Sequence, residues 1–346
     1  MHMADALLSP AVGATFWAAT LGAIGIASKK LKENLDEKTV PLMGVLGAFV
    51  FTAQMINFTI PGTGSSGHLG GGLMLAIVLG PFASFLVMAS VLTVQALFFA
   101  DGGLLALGCN IWNLGIYPCF IAYPLIYKPL TKKNRSNRRI LFAALLSAVL
   151  GLQIGSFSVV IETLLSGRSE LPFGSFLLFM QPVHLAIGIV EGFVTGGVIT
   201  YIRKARPELL DKIIGPRPVA SKPSLKKILL TFFLLTVVTG GALSWFASDY
   251  PDGLEWSIEK LYGMTEIPDQ EQVISPFLKK VQGKTAILPD YELRKHISAT
   301  QGEKNTAASL PETRMGASLS GILGAIIVLG VIMLAGIGIR TTRNRK

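Results

Sequence analysis

Long apolar runs separated by short charged connections make up most of this chain. Runs with few or no charges occupy residues 11–28, 40–58, 69–100, 103–127, 140–165, 176–202, 228–247 and 317–339. A helix needs about 20 apolar residues to cross the hydrocarbon core of a bilayer, so each run predicts a membrane-embedded helix. The third run is long for one crossing and short for two. Gly80-Pro81 lies near its middle and is expected to break the helix there.

The polar positions set the orientation. Four lysines fall in residues 29–39, six basic residues in 128–139, eight in 203–227 and four in 340–346. The other short connections, 59–68, 101–102 and 166–175, hold only Arg168. Basic connections stay on the cytoplasmic side. All of them fall there only if residues 69–100 cross twice, or enter and return. The expectation is therefore nine segments, with the N-terminus outside and the C-terminus cytoplasmic. The fold class is an all-α integral membrane protein: a seven-segment helical bundle, then a two-helix hairpin. Residues 1–205 form the core and 206–225 a cytoplasmic linker with Pro207, Pro216, Pro218 and Pro223. Residues 226–346 form the hairpin around an extracytoplasmic segment, 248–316.

Composition agrees with this class. Apolar residues make up 51% of the chain and charged residues 15%, too little charge to cover a soluble domain. The net charge of +10 follows from topology and calls for no nucleic-acid partner. Cys109 and Cys119 lie in an apolar run without zinc-site spacing and read as packing residues. Met1-His2-Met3-Ala4-Asp5 lacks the basic start of a secretory signal, so the first residue is expected to remain in the mature protein.

Candidate chemistry gathers on the outer face. His2 lies at the N-terminus, and His68 lies in the Gly-rich string Pro61–Gly72 between the second and third runs. A second-position histidine can bind metal through the terminal amine of Met1, its own backbone nitrogen and its ring Nδ1. These atoms close fused rings in one plane and leave one corner open. A second imidazole, from His68, completes a four-nitrogen plane, which favours Ni(II) or Cu(II) over tetrahedral Zn(II). Gln54 and Asn57 precede the His68 loop and are expected to hydrogen-bond the ligating ring. His184 and Glu191 are seven apart, on one helix face, and read as a structural pair within the bundle. Glu162 and Gln153 are also intramembrane. His296, in the long outside segment, is expected to be solvated and idle.

Met1-His2, the run Gln54–Phe58 and the string Gly62–Gly71 together resemble the CbiM/NikM family, the substrate-binding membrane components of energy-coupling factor transporters for cobalt and nickel. Stretches beginning at Asn110 and His184 are similar as well, and the resemblance covers residues 1–205. Met3 departs from the family's Met-His-Ile start, which leaves the chelate intact and makes the choice of metal less certain. Pro251-Asp-Gly-Leu-Glu-Trp-Ser257 resembles the marker of the small N-type companion subunit, so the resemblance implies a fusion of the two and leans toward nickel.

The same resemblance implies a coupling membrane subunit and two ATPase subunits as partners, with Ni(II) or Co(II) as transported ligand and no permanent cofactor. The chain itself has no G-x-x-x-x-G-K-[ST] motif. Ala14, Ala18 and Gly22, with Ala19, Ala23 and Ala27, give the first helix small-residue ridges that allow close docking in lipid. Two other classes remain open: a membrane metalloenzyme, although no HExxH motif is present, and an ion-gradient-driven carrier, although no internal repeat stands out.

Overall fold

The computed structural model describes residues 1–34, 39–133, 136–168, 171–205, 225–265, 267, 275–293 and 310–344. The expected linker at 206–225 lies outside the described residues apart from its last position, and so does His296. Helices account for about four fifths of the described residues. The first is α1 (Pro10–Asn34), followed by α2 (Thr39–Gln54) and a small antiparallel hairpin of β1 (Phe58–Ile60) and β2 (Ser65–Gly67). Next come α3 (Gly72–Leu79) and α4 (Pro81–Phe99). α5 (Leu107–Ile111) runs through a widened π-helical stretch (Trp112–Tyr127) into α6 (Lys128–Lys132). α7 (Asn137–Ser166) and α8 (Phe173–Ala205) complete the core. The C-terminal part holds α9 (Leu225–Gly241), α10 (Gly253–Tyr262), α11 (Ser275–Thr285) and α12 (Leu310–Asn344).

Among the described residues, five helices are long and apolar enough to cross a membrane: 10–33, 81–99, 137–166, 173–205 and 314–341. The break expected at Gly80-Pro81 is present, with Gly80 at φ +81° and Pro81 starting α4. At 1.5 Å per residue α3 is only about 12 Å long, against a core of about 30 Å. The ends of this run lie together, because His2 stacks on His68 and pairs with Asp101.

Packing is close where small residues permit it. A Cβ on Gly192 of α8 would lie 2.5 Å from the Cα of Leu145 on α7, so only glycine allows these two long helices to touch backbone to backbone. The hairpin of α9 and α12 packs against α2. On α1, Ala14, Ala18, Ala19 and Gly22 are exposed, while Ala27 is buried.

The segment after α9 lies on the β-hairpin of the core. Ser248 N–H donates to Asn57 O (2.8 Å), Ser66 N–H to Pro251 O (2.8 Å) and Trp256 Nε1–H to Thr63 O (3.0 Å). Asp252 then starts α10. Its side chain accepts from the backbone of Leu254 and Glu255, and Glu255 reaches back to the Asp252 N–H. This capping box satisfies donors that the helix start leaves unpaired, and it fixes the Asp252 carboxylate in place.

Candidate metal centre

The N-terminal residues reach the site through a backbone clamp. Met3 is fully buried. Its N–H donates to Asn110 Oδ1 (2.8 Å), and its carbonyl accepts from Gly103 N–H (2.9 Å) and Asn110 Nδ2 (3.3 Å). A Cβ on Gly103 would fall 1.8 Å from Asp5 Oδ1, so glycine is needed for the chain start to lie against this turn. With residue 3 held on both sides, Met1 and His2 have defined positions.

Both of those residues meet His68. The rings of His2 and His68 stack with centroids 5.1 Å apart and planes 7° from parallel. Met1 and His68 line one small cavity with His184, Asp252 and Gly253. The His68 Nδ1 lies 3.2 Å from the Leu69 carbonyl. A proton on Nδ1 makes that contact a hydrogen bond and leaves Nε2 as the free acceptor.

Two carboxylates engage the chain start. The Met1 ammonium donates to Asp252 Oδ2 and His2 Nδ1 to Asp101 Oδ1, each at 2.9 Å. His2 Nε2 is buried without a partner. Burial alone would raise the Asp101 pKa, but the charge and hydrogen bond of His2, with the Tyr291 hydroxyl, hold it at about 2. Burial likewise opposes ionisation of Asp252, yet the Met1 ammonium and His68 hold its pKa below the usual carboxylate range. Glu255 is raised to about 7 by burial and by Asp252 beside it. His68 is lowered to about 3 by burial, with the Met1 ammonium and His2 adding to the shift.

The residues expected around the ligating ring behave differently. Gln54 reaches the loop and not the ring: its Nε2 donates to Gly70 O (2.8 Å), and its Oε1 accepts from Gln95 (3.0 Å). Asn57 contributes its backbone carbonyl, to Ser248. His184 and Glu191 share a helix face but do not pair. His184 Nδ1 bonds Met180 O (2.7 Å), whereas Glu191 accepts from Gly70 N–H (2.9 Å) and Gly71 N–H (3.1 Å). Each is committed to a backbone group nearer than the other. Gln153 bonds the Gln181 carbonyl, and Glu162 accepts from Asn113 and Ser158. Cys109 and Cys119 are buried and free.

Sequence reasoning passed over Asp101, Asn110, Asp252 and Tyr291 as parts of this site. Only the motif around Asp252 and the stretch starting at Asn110 stood out, and neither pointed to the N-terminus. Among the described residues no group of three or more His, Cys, Asp or Glu side chains is arranged to hold a metal. An ion held here would need backbone or terminal nitrogen as well.

An all-α, multi-pass membrane protein with two stacked imidazoles and a buried chain start at one end is the class that fold and site define. The family model for the cobalt uptake substrate-specific transmembrane region, CbiM, matches residues 2–209, and the PDGLE domain matches residues 226–341. The chain belongs to the CbiM family, with a PDGLE domain fused behind it, and is a membrane protein of nickel and cobalt transport. It is 36% identical over 224 residues to a putative fused nickel transport protein NikMN of Archaeoglobus fulgidus, covering 64% of this chain and 71% of that one. It is 28% identical to the fused nickel transport protein NikMN of Rhodobacter capsulatus, over 99% of both chains. A crystal structure of a truncated transition metal transporter superposes with TM-score 0.52 at 33% identity, covering 59% of this chain and 99% of that one.

Proposed function

We propose that this chain is the substrate-capturing subunit of an ATP-driven nickel or cobalt importer. The ion is held at the outer face by the Met1 amine, the His2 backbone nitrogen, His2 Nδ1 and His68 Nε2. The observation that carries this reading is the stacking of His2 on His68. A metal–imidazole bond is about 2.0–2.1 Å and a ring nitrogen sits about 1.1 Å from its ring centre, so imidazoles on adjacent corners of one ion's plane, as His2 and His68 are in this chelate, have centres about 4.5 Å apart. The separation here is 5.1 Å, so the rings must close by about 0.6 Å on loading. Loading displaces Asp252 from the amine and Asp101 from His2. The planar nitrogen set favours Ni(II) within the family's range.

The division of labour follows from what the chain lacks. Without a phosphate-binding loop in its sequence, it relies on two ATPase subunits and a coupling membrane subunit for energy. The exposed Ala14, Ala18 and Gly22 of α1 offer the coupling subunit a face for close helix packing. The distribution of basic connections supports an orientation with the N-terminus outside and the C-terminus inside; outside labelling of a cysteine at position 134 would contradict it. Residues 1–205 act as the capturing core, 206–225 as linker and 226–346 as companion unit.

The test is nickel uptake into vesicles. The chain alone should hydrolyse no ATP and import little metal, and adding the coupling and ATPase subunits should give ATP-dependent uptake. Rapid gradient-driven uptake by the chain alone would make it a carrier instead.

A further inference from the structure

Among the described residues, three of the buried polar atoms that no hydrogen bond satisfies line cavities beneath the outer site. His184 is fully buried on α8, with its Nδ1 committed to the Met180 carbonyl at 2.7 Å. The proton therefore sits on Nδ1 and Nε2 carries a lone pair. That Nε2 has no partner, and His184 lines the cavity that Met1 and His68 also line. A second cavity adjoins the first, sharing Gly70, Leu114 and Leu152 as its walls. It is lined by Glu191, Asn113 and Ser147. Asn113 is 1% exposed and Ser147 0%, and neither Asn113 Oδ1 nor Ser147 Oγ has a partner.

Orphaned buried polar atoms are uncommon, and each costs about 1–3 kcal/mol. Three along two adjoining cavities call for an occupant. All three offer lone pairs, and a carboxyl group stands beside two of them. The amide of Asn113 is oriented by its own donor bond to Glu162 (2.9 Å), which leaves its oxygen for the cavity. Such a set recognises a cation and offers little to an anion.

We propose that these residues form an inner station for the divalent ion. On leaving the outer nitrogen site, the ion passes His184 Nε2 and reaches the position lined by Glu191, Asn113 and Ser147. The inference rests on the capture reading given under Proposed function. Exchange of nitrogen donors for oxygen donors weakens the hold on a late first-row ion, which release from a tight site requires. Glu191 also ties the two positions together, since its carboxyl accepts from Gly70 and Gly71, directly after the His68 segment.

The test compares capture with uptake. Ser147→Val and His184→Leu remove lone pairs from the route and leave Met1, His2 and His68 in place. In the complete transporter, nickel uptake should fall at least about tenfold for each, while equilibrium nickel binding by the purified chain persists and reports a folded outer site. Uptake within about twofold of the parent for both variants would overturn the inner station and leave the cavity to water. Ser147→Asp supplies an independent reading: the added carboxylate should make the chain retain a second nickel ion, and retention of only one counts against the proposal. If the parent chain itself captures no nickel, the capture reading fails rather than this inference.

Discussion

The Met1 amine and the Asp252 carboxylate meet across 2.9 Å although 251 residues separate them in sequence. This contact joins the PDGLE domain to the first residue of the chain, next to the CbiM region. Ammonium and carboxylate are both largely buried, and the carboxylate is fixed by its role as the α10 cap.

That contact sets the consequence of removing Asp252. Without an ion, the carboxylate faces one positive charge, the ammonium. In the proposed chelate the divalent ion is offset by a deprotonated His2 amide, so the carboxylate again faces a net single positive charge. Asp252→Asn should therefore keep one nickel per chain and change its affinity by less than about tenfold, ~1.4 kcal/mol. Deletion of residues 220–346 should likewise retain capture while impairing transport. Calorimetric titration reads both, and abolished binding in Asp252→Asn would make Asp252 a ligand.

The two histidines should not be equivalent. A four-ligand site worth ~10–16 kcal/mol shares out at about 3 kcal/mol per ligand, or about 100-fold in affinity. His68→Ala takes one corner and should weaken capture by about that factor. His2→Ala takes the ring and breaks the fused chelate, so its loss should be larger. Equal effects of the two substitutions, read by competition with a metal indicator, would point to an ordinary two-histidine site.

Much of this architecture was legible from runs of apolar residues, because the bilayer imposes length and backbone satisfaction on every helix. The break at Gly80-Pro81 was equally readable. What escaped were contacts between distant segments. His184 and Glu191 share a face by periodicity, yet periodicity says nothing of Gly70 and Gly71 approaching Glu191 from another element. Asp101 and Asp252 bear on the site only because the turn at 101–103 and the α10 cap converge on the N-terminus. Gln54 sits near the His68 loop as expected, but the Gly70 carbonyl, not the ring, accepts its hydrogen bond.

The pH dependence should come from the chain start rather than from His68. With its pKa lowered to about 3, His68 is already neutral throughout the range above about pH 5. The protonation that an ordinary histidine undergoes near pH 6.5 is thus removed as a source of lost affinity. Chelation instead expels one proton from the amine and one from the amide, at least two per ion. Since the free state holds more protons, affinity falls as pH falls, approaching two powers of ten per unit where the amine is protonated. Calorimetry in buffers of different ionisation heat counts the protons, and zero release would contradict the chelate.

The N-terminal chelate is tested most directly by extending the chain ahead of Met1. A tag there converts the amine to an amide, whereas a C-terminal tag leaves all four proposed nitrogens untouched. Nickel titration of both forms, with the absorption spectrum of the loaded protein, compares them. The chelate predicts strong binding and a square-planar spectrum for the C-terminally tagged form, with affinity at least about 100-fold weaker for the N-terminally extended one. Equal affinity in the two forms, or a tetrahedral or octahedral spectrum, would contradict it.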